Sequence, residues 1–145
     1  MGFRSRRAKV AHFVERVGLA MAGASGGLFV AAHLTETRIE PLVWPSSILM
    51  MMIYGAVGFY LGIDIPPAAG APDALSHAAY DSTSDTVEML SAAGTFLATV
   101  AAFVAVSGLV IDSDMTVAGM LMVGGTWLLG GAVQIVAGAV ARLRA

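Results

Sequence analysis

Val17–Thr35 reads VGLAMAGASGGLFVAAHLT, nineteen residues without a charge. A helix needs about 20 predominantly apolar residues to cross a hydrocarbon core of about 30 Å, and this run supplies them. Five cations, Arg4, Arg6, Arg7, Lys9 and Arg16, stand immediately before it. Cytoplasmic flanks carry an excess of Lys and Arg, so the same segment sets its own direction, with the N-terminus inside. Along the run Gly23, Gly27 and Ala31 recur every fourth residue and share one helix face, and Gly18, Ala22 and Gly26 line the adjacent stripe. Helices associating in lipid lack a hydrophobic driving force and depend on close backbone approach, so a surface this flat predicts a second helix against it. Val30, about 60° round the helix from the first stripe, is expected to tolerate change better.

The composition agrees with lipid as the main solvent. Of 145 residues, 57% are hydrophobic and 12% charged, against about 25% charged in ordinary soluble domains. The net charge of -2 conceals a segregated distribution. All cations but Arg38 sit in the two termini, while the acids sit mainly in connections. There is no basic face of the kind that tracks a nucleic-acid backbone, which excludes nucleic acid as a partner. Without cysteine there is no disulfide, thiolate metal site or palmitoylation. Arg exceeds Lys seven to one beside abundant Ala, Gly and Val, the usage of a GC-rich bacterial genome.

Outward from the first run, residues 1–16 form a basic, mildly amphipathic arm expected to lie near the headgroups before the chain turns inward. A signal peptide ending near Val30-Ala31-Ala32 is the rival reading, but the charged region is long for one. Residues 36–44 are a short polar connection, after which Pro45 opens a second span reaching residue 63. It carries Trp44 at one end, Phe59 and Tyr60 at the other, and the pair Gly58 and Gly62. Residues 64–86 are Pro-rich and acidic, with a short turn of helix possible around Ala74–Tyr80. Asp85 and Glu88 have the spacing of a capping box for a third span over 87–111. The turn Asp112–Asp114 leads to a fourth span over 115–141, closed by Arg142 and Arg144.

The expected fold is therefore all-α: an integral membrane bundle of four transmembrane helices in two hairpins, forming one domain. An even number of spans puts both termini on one side, and the cation distribution independently makes that side cytoplasmic. The acidic 64–86 loop is then inside as well. Ile48-Leu49-Met50 and Met120-Leu121-Met122 occupy equivalent places in the two hairpins, too short a match to establish a repeat.

Candidate chemistry is sparse. The four spans hold no Asp, Glu, Lys or Arg until their ends, which argues against ion-coupled transporters and proton pumps. His33 is the one ionisable candidate for a ligand or pore contact; His12 and His77 fall on the opposite side and offer it no second axial ligand for a haem, so an interfacial or hydrogen-bonded histidine is expected over a cofactor ligand. Gln134, on a stripe with Trp127, Gly130, Gly131 and Gly138, is expected to face protein and make an interhelical bond. Met50, Met51 and Met52 point about 100° apart and cannot converge on one soft metal ion. The acids Asp64, Asp73, Asp81, Asp85 and Glu88 match no calcium-loop spacing. No nucleophile motif, phosphate loop or zinc spacing occurs, so no catalytic residue, metal or cofactor is assigned.

The expected helix-packing interface comprises Gly23, Gly27, Ala31, Gly58, Gly62, Gly130, Gln134 and Gly138. Small-residue stripes on more than one side of a helix imply neighbours beyond the bundle. The expected function is accordingly a non-catalytic accessory or assembly subunit of a larger complex in a bacterial inner membrane, with lipid and other membrane subunits, or further copies of itself, as partners. The alternatives are a small homo-oligomeric channel or transporter lined by Gln134, Thr126, Thr95, Thr99 and Ser107, and a cofactor-bearing redox subunit using His33.

Overall fold

The computed structural model describes the backbone of residues 3–62 and 74–144, and the side chains of residues 13–62 and 86–143. Among the described residues there are five helices and no strand: α1 (Phe3–Thr35), the one-turn α2 (Glu40–Val43), α3 (Pro45–Gly62), α4 (Ala74–Ile111) and α5 (Val117–Arg144). Four of them contain segments long and apolar enough to cross a membrane, Phe13–Thr35, Pro45–Gly62, Thr86–Ile111 and Val117–Leu143. A multi-pass membrane protein has this composition of helices.

Two expectations at the helix ends are corrected. The basic arm does not turn before the span, because α1 is one helix of 33 residues. At 1.5 Å per residue it is about 50 Å long, well beyond the hydrocarbon thickness. Likewise Asp85 and Glu88 cap nothing, since α4 runs unbroken from Ala74 through both. The arm is rich in Arg, Ala and Lys, strong helix formers that carry α1 past the apolar boundary, whereas residues 74–88 hold Ala and Leu among Ser, Thr and Asp, so propensity alone does not account for the extension of α4. Asp64 and Asp73 lie outside the described residues.

The 36–44 connection is more ordered than a bare polar loop. Pro41 sits in the first turn of α2, where its missing N–H costs nothing, and Trp44 is extended ahead of Pro45, as the residue before a proline prefers. Among the described residues Arg38 and Asp112 carry the two positive φ angles, 57° and 51°, at the two connections on that end of the bundle.

The contacts between helices give their directions. Gly23 stands against Gly55 and Gly27 against Met51, so α1 and α3 are antiparallel. Ala98 stands against Gly130 and Gly94 against Gln134, so α4 and α5 are antiparallel too. Gly26 beside Ala102 and His33 beside Gly108 make α1 parallel to α4, while Gly58 beside Gln134 and Leu61 beside Gly138 make α3 parallel to α5. The two antiparallel pairs thus pack side by side, and Phe3 and Arg144 lie at the same end.

Glycine permits these approaches. A methyl built on Gly23 would fall on the Gly55 carbonyl, and one on Gly27 would fall on the Met51 carbonyl. Backbone cannot swing aside as a side chain can, so both crossings require glycine. Trp127, 1% exposed, fills the axis of the bundle. Its ring tip touches Gly26 and Gly55, and it stacks on Phe59 with centroids 6.4 Å apart. Val30, Leu34, Ala98, Ala101, Ala105 and Met120 complete the core around it. Outside, the order is inverted: Phe96 and Phe103 on α4 are 67% and 68% exposed, a surface suited to lipid. Val30 is 0% exposed, so it is not the tolerant neighbour its angle suggested; α1 is enclosed by α3, α4 and α5 over a wider arc than one stripe.

Candidate functional site

Buried polar groups occur at the two ends of the bundle. At the end where α3 finishes, its last carbonyls have no partners within the helix. Neighbouring helices supply them: Ser91 Oγ donates to the Gly62 carbonyl, and an Arg142 guanidinium nitrogen donates to the Leu61 carbonyl at 2.8 Å and to the Gly138 carbonyl at 2.9 Å. The Arg16 guanidinium lies 5.5 Å from the centre of the Tyr60 ring. Two cations from α1 and α5 therefore converge on the C-terminus of α3, where the helix dipole is negative.

One turn deeper, Gln134 is 0% exposed and donates from Nε2 to Thr95 Oγ1 at 2.8 Å. Thr95 in turn donates to the Ser91 carbonyl at 2.8 Å. Gln134 Oε1 has no hydrogen-bond partner and faces the Cα of Gly58, where a methyl would stand 3.0 Å away. The glutamine thus ties α5 to α4 and is clasped by Gly58, Gly62 and Gly94. Gly23, Gly27, Ala31, Gly58, Gly62, Gly130, Gln134 and Gly138 are all buried, in contacts between helices of this same chain.

At the opposite end, His33 is 0% exposed. Gly108 makes its seat, since a Cβ there would stand 3.1 Å from the ring Cε1. The turn after α4 is closed by the Ser113 N–H donating to the Gly108 carbonyl and the Met115 N–H donating to the Ser113 carbonyl. It returns Met115 to the ring, placing Sδ 3.4 Å from His33 Nε2. The other ring nitrogen, Nδ1, has no hydrogen-bond partner, and the nearest charge is Glu36 Oε2 at 3.8 Å.

Other expected residues do not converge. Thr126 donates its hydroxyl to the Met122 carbonyl of its own helix, and Thr99 faces outward. Met50 is 66% exposed while Met51 packs against the core. The side chains of His12, His77, Asp81 and Asp85 lie outside the described residues, and Glu88 is exposed. Among the described residues no three His, Cys, Asp or Glu gather as ligands for a metal ion. Sequence reasoning missed Met115, Ser91, Tyr54 and Arg142 as partners. Tyr54 donates its hydroxyl to the Leu128 carbonyl at 2.6 Å, across 74 residues, and no local pattern signals such a pair.

No family model matches the chain, and no curated protein or solved structure is similar to it.

Proposed function

We propose that this chain is a non-catalytic accessory or assembly subunit of a larger complex in a bacterial inner membrane, its four spans arranged as two hairpins with both termini cytoplasmic. The observation that carries the reading is which glycines remain uncommitted. Of the fifteen described glycines, twelve meet another helix of this chain, and a Cβ at Gly18 or Gly125 would meet nothing within 4 Å. Small stripes as such therefore say nothing about outside partners; these two positions are what support the reading. Gly18 continues into exposed Ala22 and Ser25 on α1, and Gly125 lies on a line with exposed Ala118, Ala132 and Ala139, one every seventh residue along α5. In lipid a thin face gains little, whereas against another helix it allows close approach.

The channel alternative has less support. Gln134 and Thr95 bond each other inside the protomer, and Thr126 and Thr99 do not join them. The test is native mass measurement after extraction in mild detergent. Wild type is expected to travel with foreign subunits, and Gly18→Leu or Gly125→Leu to travel without them at unchanged thermal stability. A wild type that runs alone, or variants that retain every partner, would overturn the reading; a closed homo-oligomer would favour the channel.

A further inference from the structure

Each nitrogen of the His33 ring faces a different group, and neither neutral tautomer suits both. With the proton on Nε2, the ring donates to Met115 Sδ at 3.4 Å, but the Nδ1 lone pair is left without a donor and turned toward the Glu36 carboxylate at 3.8 Å. With the proton on Nδ1, that N–H faces the Glu36 carboxylate at 3.8 Å and is drawn to its charge, but then the Nε2 lone pair confronts the lone pairs of sulfur. A buried polar group left in either state is costly. The second tautomer becomes favourable when a cation lies between Nε2 and Sδ.

We propose that His33 and Met115 bind a single soft monovalent ion, copper(I), with Glu36 holding the imidazole in the ligating tautomer. The proposal does not rest on the accessory-subunit reading. Imidazole and thioether together select copper(I) over the hard cations, which prefer oxygen. The spacing is suitable: with the bond lengths zinc makes, roughly 2.0 Å to imidazole nitrogen and 2.3 Å to thiolate sulfur, taken as a guide, a 3.4 Å separation corresponds to an angle of about 105° at the metal. Glu36 Oε2, 3.8 Å from Nδ1 and beyond hydrogen-bond distance in this structure, lies on the side from which a carboxylate commonly fixes a metal-bound histidine. Gly108 lets the ring sit against α4, and the Asp112 turn delivers the sulfur. Two protein donors leave coordination positions open for a further ligand.

The experiment is an anaerobic titration of the full-length detergent-solubilised protein with copper(I) against a chromophoric copper(I) chelator. Wild type is expected to withdraw one equivalent. Met115→Leu, which preserves volume, and His33→Gln should each weaken binding at least tenfold, and Glu36→Gln less, while Met50→Leu on the exposed face of α3 binds as wild type does. X-ray absorption of the loaded protein should show sulfur bound to the metal in wild type and none in Met115→Leu. Failure of folded wild type to compete, or undiminished binding by a folded Met115→Leu protein, would overturn the proposal. So would equal loss in Met50→Leu.

Discussion

Two glycines on α1 predict opposite responses to the same one-methyl change. At Gly27 an added Cβ falls on the Met51 carbonyl of α3, and at Gly18 it meets nothing within 4 Å. Overpacking typically costs about 1–3 kcal/mol, and because the obstacle at Gly27 is backbone the upper part of that range applies. Alanine in place of glycine recovers about 1 kcal/mol of helix propensity at either position. Gly27→Ala is therefore expected to destabilise the isolated protein by about 1–2 kcal/mol, and Gly18→Ala to leave it unchanged or to stabilise it by up to about 1 kcal/mol. Reversible unfolding in mixed micelles, followed by tryptophan fluorescence, measures both; Trp127 lies against Gly26 and Gly55, beside the α1–α3 crossing, and reports its opening. Equal stabilities for the two variants would refute the claim that α1 and α3 meet at this crossing. The spacing of Gly23 and Gly27 predicts a helix against this face, and the structure identifies it as α3 of the same chain.

The other predictions are brief. Trp127→Ala should lose about 3–5 kcal/mol through the cavity it leaves on the bundle axis. Trp127→Phe should cost clearly less, because it also removes an indole N–H that is buried without an acceptor; equal losses in the two would deny the ring its filling role. Gln134→Leu removes the bond to Thr95, yet Thr95 keeps its own acceptor in Ser91, so chemical unfolding should show a loss of about 1 kcal/mol or less. Cysteines introduced at Ser5, Ser82 and Ser113 test the proposed topology in intact cells: only Ser113→Cys should take an impermeant thiol label, and labelling at Ser82→Cys would defeat the four-span arrangement.

Lipid makes some features legible and hides others. The four apolar runs were readable because a bilayer demands about 20 such residues of any span, whatever packs against it. Helix ends were not, since polarity marks where the bilayer stops and says nothing of whether the helix stops with it. Hence α1 and α4 continue through Arg4 and Ala74 into stretches that read as an arm and a loop. Gly23 and Gly27 were recognisable as a packing face by their spacing, but spacing names no partner, and the partner proved to be α3. The same limit governs His33. A histidine near the end of a span most often touches headgroups and water, and nothing between residues 33 and 115 announces that Gly108 vacates a seat for its ring or that a left-handed Asp112 turns Met115 back onto it. Three ordinary features, a glycine, a tight turn and a methionine, become one arrangement only because α1 and α4 run parallel and end at the same height. If chemistry resides anywhere in this bundle, that shared end is where it can act, for the axis is closed by Trp127 and the opposite end is occupied in holding the C-terminus of α3.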